Sequence, residues 1–313
     1  MSTRMLKGNV CHDRTRGDRD VHVLNTVDQS GRVGVVGGGT MGVGIAYVFA
    51  AGGYHTTVVE PDLQRAATIR GSIGRAADDA LRRGKCDSDE AARLVSRVEL
   101  VGDIAELADG IELVIESVPE RFELKVEVLR KIEQLRPAMV ATNTSALSIT
   151  RLAAGLSRPE LVVGLHFFNP VWSIPLVEIV RGARTSDTTV VRATAVVDSI
   201  GKQAIVVKDS PGFATSRLDL IASLEAMRML EEGVASAADI DRAMSAGYRH
   251  PTGPLRLSDI VGLDVRLDIA RNLHAELGDR FAPPQILEEL VAAGHLGMKS
   301  GRGFFDWSSE TAV

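Results

Sequence analysis

At 313 residues, 45% hydrophobic and 25% charged, the chain has a globular composition and enough length for two domains. Its formal charge of −5 argues against a nucleic-acid binder, which carries a basic surface, and no unbroken apolar run approaches the roughly 20 residues needed to span a bilayer. The two cysteines, Cys11 and Cys86, show no CxxC spacing and cannot alone hold a metal, which points to a reducing, cytoplasmic setting.

Residues 1–30 carry Arg, Asp, Lys and His with little periodicity and lack the apolar stretch of a secretory signal. They read as a flexible N-terminal arm with no assigned role. Order is expected from Arg32, where RVGVVGGGTMGVGIAYVFAAGG reads as a Val-rich strand, a glycine turn and a helix ended by Gly52 and Gly53. Gly37, Gly39 and Gly42 fit GxGxxG spacing. The first permits the tight turn, the second lets backbone approach a pyrophosphate, and the third allows helix and strand to pack closely. Thr40 and Met41 open the helix, whose free N–H groups and positive dipole end would face that phosphate. A second strand over residues 55–59 ends in Glu60, 18 residues after Gly42. A carboxylate there either accepts hydrogen bonds from an adenosine ribose and repels a 2′-phosphate, or is simply solvated.

Residues 63–83 are helical in pattern and carry Arg65, Arg70, Arg75, Arg82 and Arg83, either a solvated face or a meeting point for a phosphorylated substrate handle. Residues 111–116 read as a buried strand, and 119–136 as a helix containing Glu120 and Lys125. A further strand over 138–142 ends in Asn143, Thr144 and Ser145. A hydroxyl at such a strand end faces the crevice where open α/β sheets bind ligands, or serves as a helix N-cap.

The stretch GLHFFNPVWSIPLVEIV concentrates the chemistry. His166 closes an apolar run, a loop with Asn169 and Pro170 follows, and Pro175 opens a second apolar run containing Glu178. Strands joined this way can lie side by side, which would let His166 meet Glu178. An imidazole held by a carboxylate is an oriented general base. The plain alternative is a core histidine and a solvated glutamate, although a carboxylate inside an apolar strand is costly without a partner.

Residues 187–200 read as a helix and 203–207 as a strand. From Asp209 onward the strands stop, and helices are expected over 213–232, 237–245 and 265–277. The expected organisation is an α/β Rossmann-type dinucleotide-binding domain over 31–208 and an all-α domain over 209–313, whose exposed helical faces would suit a dimer.

The motifs VGGGTMGVGIA, ATNTSALSIT, GLHFFNP, PLVEIV, DSPGF, HPTGPLRLSDIVGLD and GMKSGRGFFDW occur in this order between Arg32 and Trp307. With them the chain resembles the L-3-hydroxyacyl-CoA dehydrogenase family. The resemblance implies an NAD-binding Rossmann-type domain, a helical dimerisation domain, and NAD-dependent oxidation of a 3-hydroxyacyl thioester to the 3-ketoacyl thioester. It implies that His166 is the catalytic base and Glu178 its orienting carboxylate, with Ser145 and Asn169 positioning the substrate hydroxyl and the cofactor. Contacts to NAD are implied at Gly37, Gly39, Thr40, Met41, Gly42, Glu60, Glu120, Lys125, Asn143 and Lys299. The substrate would be an acyl-CoA or an acyl group on a carrier. Other readings of the same residues are a dehydrogenase of a free hydroxy or sugar acid, and a nucleotide-binding protein without catalysis.

One position departs from the family pattern PGFxxNR. Here Pro211-Gly212-Phe213 is followed by Ala214, Thr215, Ser216 and Arg217, with Ser216 where the asparagine belongs. The shorter side chain leaves room in a substrate-binding position, to be filled either by water, with ordinary specificity, or by a larger or more polar acyl group.

Overall fold

A computed structural model describes residues 31–308 of the chain. The arm expected over residues 1–30 lies outside the described residues. Eight strands form one sheet: β1 (Arg32–Val36), β2 (His55–Val59), β3 (Val98–Val101), β4 (Leu113–Glu116), β5 (Met139–Thr142), β6 (Val162–Phe167), β7 (Leu176–Arg181) and β8 (Gln203–Lys208). Their order is β3-β2-β1-β4-β5-β6-β7-β8. The pairs from β3 through β6 are parallel, β7 is antiparallel to β6, and β8 is parallel to β7. Central strands such as LVIE and MVAT are buried along their whole length, the condition of a parallel sheet covered on both faces. The strand order reverses between β1 and β4, and a crevice opens beyond their carboxyl ends.

Helices α1 (Thr40–Ala51), α2 (Leu63–Arg82), α3 (Ser88–Ser96), α4 (Phe122–Gln134), α5 (Ile149–Ala153) and α6 (Asp187–Ser199) accompany the sheet. One core joins Ile45 and Phe49 of α1, Ile69 and Ile73 of α2, and Val196 and Val197 of α6. The other joins Val128, Leu129 and Ile132 of α4 to Ile149 and Leu152 of α5. Residues 84–110 had no assignment from pattern, yet hold α3 and β3. The N-terminal signal of α3 was present: Asp87 accepts from Glu90 N at 2.7 Å while Glu90 Oε2 accepts from Asp87 N at 2.9 Å, a reciprocal cap. β3 is a four-residue edge strand, VELV, too short for its alternation to register.

Beyond β8 the chain is helical: α7 (Thr215–Glu231), α8 (Ala237–Arg242), α9 (Pro254–Val261), α10 (Leu263–Leu277) and α11 (Gln285–Ala292). The helix expected through residue 245 leaves α geometry at Arg242 and continues as a π turn, Ala243–Gly247. Leu220, Leu224, Met227, Leu255, Leu267, Leu273 and Phe281 form this domain's own core. The buried Asp259 carboxylate accepts from Phe304 N, Phe305 N and Trp307 Nε1 at 2.9–3.0 Å, fastening the last described segment to α9. Several contacts tie the domains. Asp209 accepts from Ser148 Oγ and Thr150 N, both at 2.8 Å, and Phe213 packs into the α4–α5 core.

Candidate active site

The glycine turn is built as its spacing demands. Gly37 has φ of +110°, and a Cβ on Gly42 would sit 1.8 Å from Gly37 O, so neither tolerates a side chain. A Cβ on Gly39, by contrast, would meet nothing within 4 Å. Gly39 and Thr40 are exposed at the crevice, and α1 starts there with no side-chain cap on its first amides. Such an end accepts a phosphate. Glu60, at the end of β2, reaches across this turn: Oε2 accepts from Gly38 N at 3.1 Å and Oε1 from Asp62 N at 3.0 Å. Arg65 lies 3.4 Å from the same carboxylate, and is itself half exposed.

On the other side of the switch point, a buried network shapes the loop after β5. Lys125 is 1% exposed, and its ammonium donates to Glu116 at 2.8 and 3.1 Å and to Val118 O at 3.0 Å; Glu120 Oε2 lies at 3.2 Å. An ammonium has three donors, so these protein acceptors occupy Lys125. The lysine expected among the cofactor contacts thus lies buried beneath Glu120, 3.2 Å from its Oε2. Burial pushes the Glu116 carboxyl up, against the pull of Lys125, Thr142 and Val118 N. Glu120 Oε1 in turn accepts from Thr144 Oγ1, from Ser145 N at 3.0 Å and from Ala146 N at 3.1 Å. The Ser145 side chain is left exposed in the crevice. Asn143 is buried, and its Oδ1 accepts from Phe167 N at 2.9 Å, joining the ends of β5 and β6.

His166 and Glu178 are direct register partners of β6 and β7. His166 Nδ1 lies 2.7 Å from Glu178 Oε2, and the imidazole packs on Phe168 and Phe213 with centroids at 4.4 and 5.8 Å. Nδ1 is thereby committed to the carboxylate, which leaves Nε2 as the lone-pair nitrogen. Glu178 is fully buried but carries four hydrogen bonds. Oε2 also accepts from Thr215 Oγ1 at 2.7 Å, and Oε1 accepts from Ala214 N at 3.0 Å and Thr215 N at 2.9 Å. The last two open α7, whose dipole favours an anion there. Burial pushes the Glu178 carboxyl up, yet the bonds from His166 and Thr215 outweigh it and hold it below its ordinary value. The turn that aims these amides requires Gly212 and Phe213 at φ of +71° and +47°. For a phenylalanine that conformation costs about 1 kcal/mol.

Asn169 stands exposed directly after Phe168, and Ser216 lies half-buried in the first turn of α7. Lys299 is elsewhere: its ammonium pairs with Asp264 at 2.6 Å within the helical domain and bonds to no crevice residue among those described. Sequence reasoning missed Thr215, Glu116 and Lys202. Lys202, 9% exposed, donates to Val171 O at 2.5 Å and Ile174 O at 2.7 Å, pinning the loop that carries Asn169. With burial and then Lys85 against its charge, its pKa falls from 10.5 to about 8. The helix-then-strand pattern around Gly201 gave no sign of this lysine's inward turn.

Two family models match the chain, one after the other. Residues 32–210 match the 3-hydroxyacyl-CoA dehydrogenase NAD binding domain, and residues 212–307 match the 3-hydroxyacyl-CoA dehydrogenase C-terminal domain. The chain belongs to the 3-hydroxyacyl-CoA dehydrogenase family. A 3-hydroxybutyryl-CoA dehydrogenase of Mycobacterium tuberculosis is 40% identical over 281 residues, covering 88% of this chain and 98% of that one. A 3-hydroxyadipyl-CoA dehydrogenase of Escherichia coli is 37% identical over 282 residues, 89% of this chain and 59% of that protein. Among solved structures, an (S)-3-hydroxybutyryl-CoA dehydrogenase from Ralstonia eutropha superposes with a TM-score of 0.85 at 38% identity, over 89% of this chain and 99% of that one. The Rossmann-type domain of this 3-hydroxyacyl-CoA dehydrogenase family member is thus an NAD-binding domain, and the chain is an NAD-dependent oxidoreductase.

Proposed function

We propose that the chain interconverts a 3-hydroxyacyl thioester and its 3-ketoacyl thioester, with His166 as general acid and base. The observation that carries this is the buried His166–Glu178 pair at 2.7 Å beside a glycine turn fitted to a dinucleotide. Relatives are named for hydroxybutyryl and hydroxyadipyl thioesters of CoA, and an acyl-CoA is the substrate class proposed here.

Bound NAD would supply the hydride acceptor for C3 in oxidation and, as NADH, the donor in reduction. Gly37, Gly39, Thr40, Met41 and Gly42 would hold its pyrophosphate and Glu60 its adenosine ribose. Asn143 and the loop set by Glu120 would line the nicotinamide end. His166 Nε2 takes the proton of the substrate hydroxyl, and Glu178 steadies the imidazolium that results. Ser145 and Asn169 orient the hydroxyl toward Nε2, and Ser216 lines the acyl pocket. In reduction the imidazolium returns the proton to the carbonyl oxygen. The helical domain, with Leu218, Val265 and Ile260 at its surface, pairs two chains into a homodimer in this proposal, and the setting is cytoplasmic. No helix among the described residues is long and apolar enough to cross a membrane.

The test is absorbance at the NADH band with acetoacetyl-CoA. Turnover supports the reading. NADH binding without turnover of any acyl thioester or hydroxy acid would instead mark a nucleotide-binding protein without catalysis.

A further inference from the structure

Among the described residues, three side-chain atoms are buried and without a hydrogen-bond partner: Ser223 Oγ and the Nε and Nη2 of Arg266. All belong to the seam between α7 and α10. Ser216, Asp219 and Ser223 are spaced i, i+3 and i+7 and so share one face of α7. Arg266 comes from α10, is 3% exposed, and pairs through Nη1 with Asp219. Asp219 is itself about a third exposed, so one partly solvated carboxylate answers only one edge of a buried guanidinium.

The two remaining nitrogens are not an arbitrary pair. Nε and Nη2 are the adjacent donors that grip a carboxylate with two parallel bonds. Leaving both unpaired inside the protein costs far more than leaving a neutral donor so. The fork's place along the helix is also informative. Thr215 binds Glu178 with its amide and its hydroxyl, and Asp219 follows on α7 about 6 Å along the axis, at about 1.5 Å per residue. Ser216, the residue that departs from the family pattern, lies between them. An acyl chain reacting at His166 and extending past the short Ser216 side chain would run toward this guanidinium.

We propose that the acyl group this chain takes ends in a second carboxylate, held by the Nε and Nη2 of Arg266. The proposal rests on the dehydrogenase reading above and names its substrate class: a 3-hydroxy dicarboxylic monothioester. Ser216 takes up less of the way along α7 than an asparagine would, Arg266 supplies the bidentate grip, and Asp219 holds the guanidinium edge-on.

The test compares 3-oxoadipyl-CoA with 3-oxohexanoyl-CoA, which match in chain length and differ in a carboxylate against a methyl terminus. Both the binding constants to the full chain and kcat/KM with NADH are measured. The expected result is a preference for the carboxylate of roughly ten- to a hundredfold, the range of a charge-assisted pair. Arg266→Gln should bring the ratio close to one, while Asp219→Asn, which removes a competing anion and keeps the fork, should hold or raise it. A parent protein that binds the two thioesters equally, or prefers the methyl terminus, overturns the proposal, as it would if only water met the fork. A fall in the ratio for Asp219→Asn matching that for Arg266→Gln would mark the pair as structural and also overturn it. A carboxylate preference in binding without turnover would keep the site and overturn the dehydrogenase reading instead.

Discussion

Replacing Glu178 by glutamine tests the dyad at the level of single protons. The carboxylate accepts four hydrogen bonds, two on each oxygen: His166 Nδ1 and Thr215 Oγ1 on Oε2, Ala214 N and Thr215 N on Oε1. A glutamine offers one acceptor oxygen and one donor group, so it can satisfy only one side. If its oxygen faces His166, its NH2 confronts two backbone N–H donors that have no alternative, at about 1–3 kcal/mol for each buried donor left unmet. If its oxygen stays on the backbone amides, its NH2 points at His166 and can be met by a neutral Nδ1 acceptor and by the Thr215 oxygen. The second arrangement therefore wins by several of those units, and its consequence is chemical. The imidazole proton moves to Nε2, the nitrogen that should take the substrate proton. Expected is a loss of kcat of about 10²–10⁴-fold, the range for a misassigned or missing base. Folding stability should fall by only about 1.5–3 kcal/mol, from the charge-assisted bonds weakened. Steady-state rates at the NADH band, together with a denaturant titration, measure both. A glutamine variant with parental kcat would refute the reasoning.

His166→Ala should lower kcat by roughly 10²–10⁴-fold while fluorescence titration shows nearly unchanged NADH affinity, since no bond joins the imidazole to the glycine turn; parental turnover would remove His166 from the mechanism. NAD should be preferred over NADP by about a hundredfold in kcat/KM, roughly 2–3 kcal/mol, if the Glu60 carboxylate, held by Gly38 N, meets the adenosine ribose as proposed. Equal efficiency with both would show that the neighbouring Arg65 overrides it. Lys202 gives a pH signature of its own. Its folded pKa is depressed from 10.5 to about 8, so between those values the unfolded chain binds more protons and stability should rise with pH. Lys202→Met should flatten the rise in denaturant midpoint over that window, and a slope identical to the parent's would contradict the assignment.

Much of the site was legible because its determinants are local or nearly so. Gly42 is set by sterics within six residues of chain, where a Cβ would strike Gly37 O, and Gly37 by its own positive φ. The apolar runs around His166 and Glu178 could lie side by side, and a carboxylate inside one of them is costly without a partner, which made the pairing a candidate; the β6–β7 register then decided between it and a plain core histidine. Periodicity likewise separated the sheet domain from the helical one, since a switch from runs of β-branched residues to a helical repeat is a property of sequence alone.

What the sequence left open is where each charge finds its partner. Lys125 and Lys299 resemble cofactor ligands by position, yet one is surrounded by Glu116, Glu120 and Val118 O and the other is paired to Asp264. Thr215 reads as an ordinary helix residue until α7 is docked against β7, and only then does its hydroxyl share an oxygen with His166. Nothing in LDVRLDIARNLHAEL singles out Arg266, which α10 turns inward against Asp219. The physical reason is the same in each case. Apolar burial is specified by a residue's own chemistry and its spacing, whereas a polar group's meaning depends on which donors and acceptors the packed helices bring within about 3 Å of it.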